Sequence, residues 1–174
     1  SLIMEFGYDL IWTHGHLGLA LVFLALLIVG LRLRFRRALL FALSVGMAWG
    51  LVSHWIIHER FLFNRPVPIP SAQFLAAGHG QVLDLGAGSG RATVGVLRDR
   101  PGAQVTAVDI FATTYGISDN QPERLLRNVQ AAGFQGRAVV QPGDKRQLPF
   151  PAGRFDAAIS VAAIDHLSDA DIRK

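Results

Sequence analysis

The chain has 174 residues, room for one domain of ordinary size plus an appendage, and 51% of them are apolar. Its net charge of +4 sits mainly in residues 1–70, where six arginines face only Glu5, Asp9 and Glu59; the remainder shows no basic patch, which argues against a nucleic-acid binder. There is no cysteine, so disulfides, thiolate metal sites and cysteine nucleophiles are excluded.

Residues 10–31, LIWTHGHLGLALVFLALLIVGL, hold no Asp, Glu, Lys or Arg. Such a run is long enough to cross the roughly 30 Å hydrocarbon layer as a helix. RLRFRR (32–37) follows, and then ALLFALSVGMAWGLVSHWII (38–57), whose only titratable group is His54. The pattern predicts a membrane hairpin with spans at about 10–31 and 38–57. A secretory signal fits poorly, because the basic cluster follows the apolar run instead of preceding it. A buried helix of a soluble core is the alternative for 38–57. Ala42, Gly46, Gly50 and His54 share one helix face, and GMAWG is a G-x-x-x-G that lets a neighbouring backbone approach. Trp12 and Trp55 are expected at the same interface. His14, His16, His54 and His58 have no carboxylate or Cys to complete a ligand set, so they read as packed or interfacial histidines and no metal is expected. The positive-inside rule places the arginine loop in the cytoplasm and everything after residue 60 outside, whereas the chemistry read below needs a cytoplasmic cofactor. FLFNRPVPIP (61–70) reads as an extended, semi-rigid connector. The domains expected are thus 1–60, the anchoring hairpin; 61–70, the linker; and 71–174, an α/β domain.

QVLDL (81–85) reads as a buried strand running into a glycine cluster, and RATVGVLRDR (91–100) as a helix facing back onto the sheet. Strand, glycine turn and helix start make a site for a nucleotide or a charged small molecule, since glycines admit the ligand and free N–H groups lie at the helix start. The next strand, QVTAVDI (104–110), contains Asp109, placed where an acid binds a ribose diol in doubly wound folds. A dinucleotide site wants G-x-G-x-x-G. Here Arg91 and Thr93 stand where the third glycine should be. The loop is instead Asp84-x-Gly86-x-Gly88-x-Gly90. The acid at the strand end would repel a pyrophosphate and suits a ligand with a positive amino group, such as S-adenosylmethionine.

The D-x-G-x-G-x-G loop, followed by an acid closing the second strand, resembles the class I S-adenosylmethionine-dependent methyltransferases. GDKRQLPFPAGRFDAAIS (143–160) is similar to the G-D-x-x-x-L-P-F-x-x-x-x-F-D signature of their small-molecule branch, which includes the quinone C-methyltransferases and the broad "methyltransferase type 11" group. The resemblance covers about 80–166. It implies a Rossmann-like doubly wound parallel sheet of the seven-stranded class I methyltransferase fold, here its first four strands, at 81–85, 104–110, 137–141 and 155–161. It also implies that Asp84 and the backbone of Gly86, Ala87, Gly88 and Gly90 hold the methionine end of the cofactor. Asp109 would accept from the ribose hydroxyls, with Ile110 against the adenine. Asp144 would meet the adenine amino group, Lys145 would lie beside the ring, and Val161 near the methionine moiety. Asp156 reads as structural.

The match departs in two places. IFATTYGISDN (110–120) is longer than the family's usual connection, and its Thr113, Thr114 and Tyr115 could shape a lid or be a plain surface insertion. A helix is expected to start at Asn120–Pro122. Asp165-His166 falls where family members often carry a histidine near the substrate. His166 could act as general base for an acceptor hydroxyl, or be a loop histidine satisfied by backbone. Ser168 reads as an N-cap with Asp169–Lys174 as a first turn, and the absence of further strands reads as a truncated domain. The hairpin argues for a membrane location and a small, lipophilic acceptor. A non-catalytic S-adenosylmethionine-binding membrane module and a nicotinamide-dependent oxidoreductase are the rival readings.

Overall fold

The structure, a computed structural model, describes residues 3–112, 117–163 and 168. The chain forms two compact units: Tyr8–Phe63, and Ser1–Gly7 together with Asn64–Lys174. The residues before the hairpin therefore fold with the α/β unit, not with the hairpin to which the sequence reading (1–60) assigned them. They carry no periodicity that could have announced this. What holds them is pairing with side chains more than 110 positions away.

The hairpin unit is built from α1 (Leu10–Arg32) and α2 (Arg37–Glu59), both close to the expected spans. Each is 23 residues, about 35 Å at 1.5 Å per residue. Both are long and apolar enough to cross a membrane, and only 11% of either apolar window is buried, which is unlike a core helix of a soluble fold. The small residues face inward. A Cβ on Gly50 would stand 2.8 Å from the His16 carbonyl, and one on Gly46 2.8 Å from the Phe23 ring, so the G-x-x-x-G face is what lets the helices meet. Trp12 and Trp55 project outward at the same end of the hairpin. At that end the rings of His14, His54 and His58 cluster with centroids 4.3–5.6 Å apart, and His58 Nε2 lies 2.8 Å from the Thr13 carbonyl. Among the described residues no group of side chains is placed to hold a metal.

The α/β unit runs β1 (His79–Leu85), α3 (Arg91–Asp99), β2 (Gly102–Asp109), α4 (Pro122–Ala131), β3 (Ala138–Pro142) and β4 (Ala157–Ile159). The four strands form one parallel sheet in the order β3-β2-β1-β4. This is the Rossmann-like doubly wound arrangement expected. Apolar residues on one face of β1 and β2, among them Val82, Val105 and Ala107, pack with Val94, Leu97, Leu125 and Val129 into the core. β4 is shorter at both ends than the 155–161 expected; just ahead of it Asp156 accepts from the Gln81 N–H of β1 at 2.7 Å. That contact bears out its structural reading. The Phe150 and Phe155 rings meet edge to face at 5.0 Å, so the later part of the L-P-F…F-D signature here builds the approach to β4.

Two local expectations are corrected. Residues 65–70 do not simply link: the Val67 N–H donates to the Arg91 carbonyl, and Gly95 of α3 has no room for a Cβ because the Val67 carbonyl lies against it. The start of α4 is made by Gln121 with Pro122 at the first turn. Asn120 does not cap it; its amide donates to the Ala112 carbonyl at 3.0 Å.

Candidate cofactor site

The chain runs from β1 outward to β2 and β3, then returns to place β4 on the other side of β1. The turn after β1 thus lies at the point where strand order reverses, where open α/β sheets open a crevice at their carboxyl ends. Gly86, Gly88 and Gly90 have φ of +75°, +51° and +89°, a left-handed path natural only to glycine. Gly86 and Ala87 donate to the Val108 carbonyl at 2.8 and 3.2 Å, and Gly90 to the Ala87 carbonyl at 2.8 Å. The turn is therefore folded tightly against β2, with α3 starting at Arg91.

Asp84 lies beneath the turn and is 1% exposed. Its Oδ2 accepts from the Thr93 hydroxyl at 2.6 Å, while Oδ1 is buried with no protein partner. Burial pushes its pKa up to about 6; the Thr93 bond opposes this and the charge of Asp109 adds to it. A buried carboxylate with one idle oxygen favours a cationic ligand over a phosphate. Thr93 was missed by sequence reading. Its only signal was a hydroxyl on the sheet-facing side of a short amphipathic helix.

Asp109 ends β2. Its Oδ2 accepts from Gly88 N–H at 2.8 Å and its Oδ1 from Phe111 N–H at 2.6 Å. The carboxylate is fixed against the turn, and each oxygen keeps a lone pair for a hydroxyl donor. Ile110 beside it is exposed. The sequence-predicted group Asp84, Gly86, Ala87, Gly88, Gly90 and Asp109 is therefore one contiguous cradle.

Asp144 and Lys145 come from the loop after β3. Arg146 bonds both oxygens of Asp144 through its side chain and one through its backbone, holding that carboxyl down to about pKa 2. Lys145 Nζ donates to the Ala163 carbonyl, reaching across the end of the sheet to the segment after β4. Ala163 fills the space a Cβ on Gly86 would need. Val161, half-buried, precedes it. Asp165 and His166, the expected catalytic pair, lie outside the described residues, as do Thr113, Thr114 and Tyr115 and the helix turn expected at 169–174. An open groove of about 400 Å³ flanks β4, lined by Leu83, Leu148, Phe150 and Phe155 among others; no expected cofactor residue borders it.

A family model described as "Methyltransferase domain" matches residues 82–174. A 27-O-demethylrifamycin SV methyltransferase of Amycolatopsis mediterranei is 28% identical over 89 residues, covering 51% of this chain and 30% of the relative. The release factor glutamine methyltransferase of Rhodospirillum rubrum is 37% identical over 81 residues, covering 47% and 22%. A chloroplastic 2-methyl-6-phytyl-1,4-hydroquinone methyltransferase of Oryza sativa subsp. japonica is 28% identical over 92 residues, covering 52% and 24%. The matched stretch thus spans less than a third of each of these relatives.

Proposed function

Because the chain belongs to the methyltransferase-domain family, we propose that it serves a membrane-anchored enzyme that transfers the methyl group of S-adenosylmethionine to a small lipophilic acceptor. The observation that carries the cofactor reading is Asp84: a buried carboxylate with an idle oxygen under a glycine turn, beside a second acid clamped to that turn. The residues fit this cofactor. Asp84 and the turn would take its cationic amino-acid end, Asp109 its ribose hydroxyls, Ile110 and Asp144 its adenine. When bound, the cofactor supplies an electrophilic methyl carbon on a sulfonium, open to in-line attack by an acceptor lone pair.

The work left to this chain is to hold, align and exclude water. Asp109 does the first through two backbone bonds that leave it little freedom. Lys145 brings the segment after β4 over Gly86, walling that side of the cradle. For a hydroxyl acceptor, we assign removal of its proton to His166 with Asp165, on their sequence position.

The hairpin supports the membrane part of this reading. Its outward faces are apolar over the length of a bilayer. Residues 3–7 and the chain after residue 64 fold as one unit, so both ends of the hairpin stay with the same domain. Two crossings satisfy that requirement; one does not. A lipophilic acceptor follows from that location, and one relative's name, a phytyl hydroquinone methyltransferase, is in keeping with it. We place the domain in the cytoplasm with the cofactor supply, which puts the arginine loop on the opposite face, against the positive-inside tendency.

The deciding experiment is calorimetric titration of the detergent-purified chain with S-adenosylmethionine, with NAD as control. Binding of the first and not the second is expected. A folded chain that prefers NAD would overturn the cofactor assignment. Resistance to alkaline carbonate extraction is expected of the membrane-expressed chain, and its release would refute the anchor. Protease protection in sealed vesicles reads the orientation.

A further inference from the structure

We propose that Asn128 is a positioning residue for the glycine turn, and that the segment ahead of the hairpin, residues 3–7, holds Asn128 in place. The proposal rests on the reading of that turn as the cofactor cradle. Asn128 lies on α4 and is 2% exposed. Its Oδ1 accepts from the Glu5 N–H at 2.7 Å, and its Nδ2 donates to the Glu5 carbonyl and to the Ser89 carbonyl, both at 2.9 Å. Three of the four hydrogen bonds a carboxamide can make are thus used. Two go to the strap and one to the turn.

The bond to Ser89 matters because of what shares that peptide plane. Fixing the Ser89 carbonyl fixes the Gly90 N–H, the group that closes the turn onto the Ala87 carbonyl. α4 presses on the same spot one turn earlier: a Cβ on Gly90 would stand 2.8 Å from Leu125 Cγ. Residues 125 and 128, three apart, present one helix face to the turn.

The strap also acts through a second route. The Gly7 carbonyl accepts from both the Ser118 N–H and the Ser118 hydroxyl, at 2.7 and 2.9 Å. Ile117 is wedged beside it: a Cβ on Gly7 would be 3.0 Å from Ile117 Cγ2, and one on Gly88 3.2 Å from Ile117 Cδ1. Phe6, fully buried, and the Arg124 guanidinium, donating to the Glu5 carbonyl at 3.1 Å, lock the strap down. The strap's own hydrogen bonds run to Asn128, Arg124 and Ser118. It sets the two side chains, Asn128 and Ile117, that brace the turn at Ser89 and Gly88. Cofactor affinity therefore depends on a segment 79 or more residues ahead of the turn and separated from it by the hairpin.

Two full-length variants test this. Asn128→Asp removes the donor to Ser89 and sets a carboxylate against two carbonyls. Gly7→Val displaces the strap, since φ of +79° and a Cβ 2.6 Å from the Ser118 carbonyl admit no side chain. Each is measured for S-adenosylmethionine affinity by calorimetry and for amide hydrogen exchange without ligand. The expected result is affinity at least about tenfold weaker, with faster exchange at 86–90 and unchanged protection in β2. Affinity within about twofold of the parent in either variant overturns the proposal. So does exchange that accelerates equally across the whole sheet, since that is loss of stability and not of positioning. Should the parent chain itself fail to bind, the cofactor reading fails, and exchange at 86–90 alone then decides the positioning claim.

Discussion

Asp84→Asn separates the cost of the cradle from its use. With a folded-state pKa of about 6 against an ordinary value of 3.8, Asp84 binds its proton more tightly in the folded chain than in the unfolded one. Its contribution therefore favours the fold at low pH and is lost as pH rises from about 4 through about 6. Above that the loss is complete, at about 3 kcal/mol, which is the gap between 3.8 and about 6 taken at about 1.36 kcal/mol for each pH unit. Between about pH 5 and about pH 7.5 the expected fall is roughly 1 kcal/mol. Asparagine cannot ionise and so lacks this slope. Its amide, placed where Oδ1 has no partner, costs about 1–3 kcal/mol, but equally at every pH. Pulse proteolysis in urea, on both proteins in the same micelles without cofactor, reads the difference, and titrating groups common to the two cancel. The native chain should lose roughly 1 kcal/mol relative to the variant over that interval. Parallel profiles would refute the account of Asp84 as a destabilised buried carboxylate. Cofactor affinity should run the opposite way in the native chain, strengthening as pH rises through about 6, because the ionised form is the one that meets a cation.

Asp109→Ala frees the Gly88 and Phe111 N–H groups as well as removing the ribose acceptor; calorimetry should show S-adenosylmethionine binding weakened by about 10- to 100-fold, or about 1.4–3 kcal/mol. Gly50→Leu drives a side chain into the His16 carbonyl and Ala20, and should loosen α1 against α2 at a cost of about 1–3 kcal/mol, seen as faster amide exchange along both helices in micelles. Arg146→Ala removes the side-chain hydrogen bonds that hold the Asp144 carboxyl down and keeps the backbone one, so its titration midpoint, followed by carboxyl carbon resonance, should rise from about 2 part of the way towards 3.8; an unmoved midpoint would show that the Arg146 side chain is not the cause.

Much of the site was legible because its chemistry is written locally. A strand carrying an acid, three alternating glycines and a helix start occupy the consecutive positions 81–91, and each must take up a conformation its own residue type favours. Asp109 was legible for a related reason, since the distance from the turn to the next strand end is set by one helix. Thr93 was not, because its role depends on which face of α3 lies over Asp84. Asn120 was misread as a helix start because its bond to Ala112 depends on how the loop returns, and nothing near Asn120 reports that. Strand β4 was read too long at both ends, 155–161 against Ala157–Ile159, while Asp156, read as structural, accepts from the Gln81 N–H.

The hairpin, the strand–glycine–helix unit and the class of ligand that unit can take could all be read from residue order alone. These depend on composition, periodicity and backbone preference within short windows. The strand order β3-β2-β1-β4, the idle oxygen of Asp84 and the return of residues 3–7 to brace the turn emerge only when the chain is folded. Each of those is a pairing between distant segments. Glu5 and Asn128 are 123 positions apart, and neither carries a local mark of the other. Their meeting follows from burying Phe6 and satisfying a carboxamide at once, a condition that exists only when the whole sheet and α4 are in place.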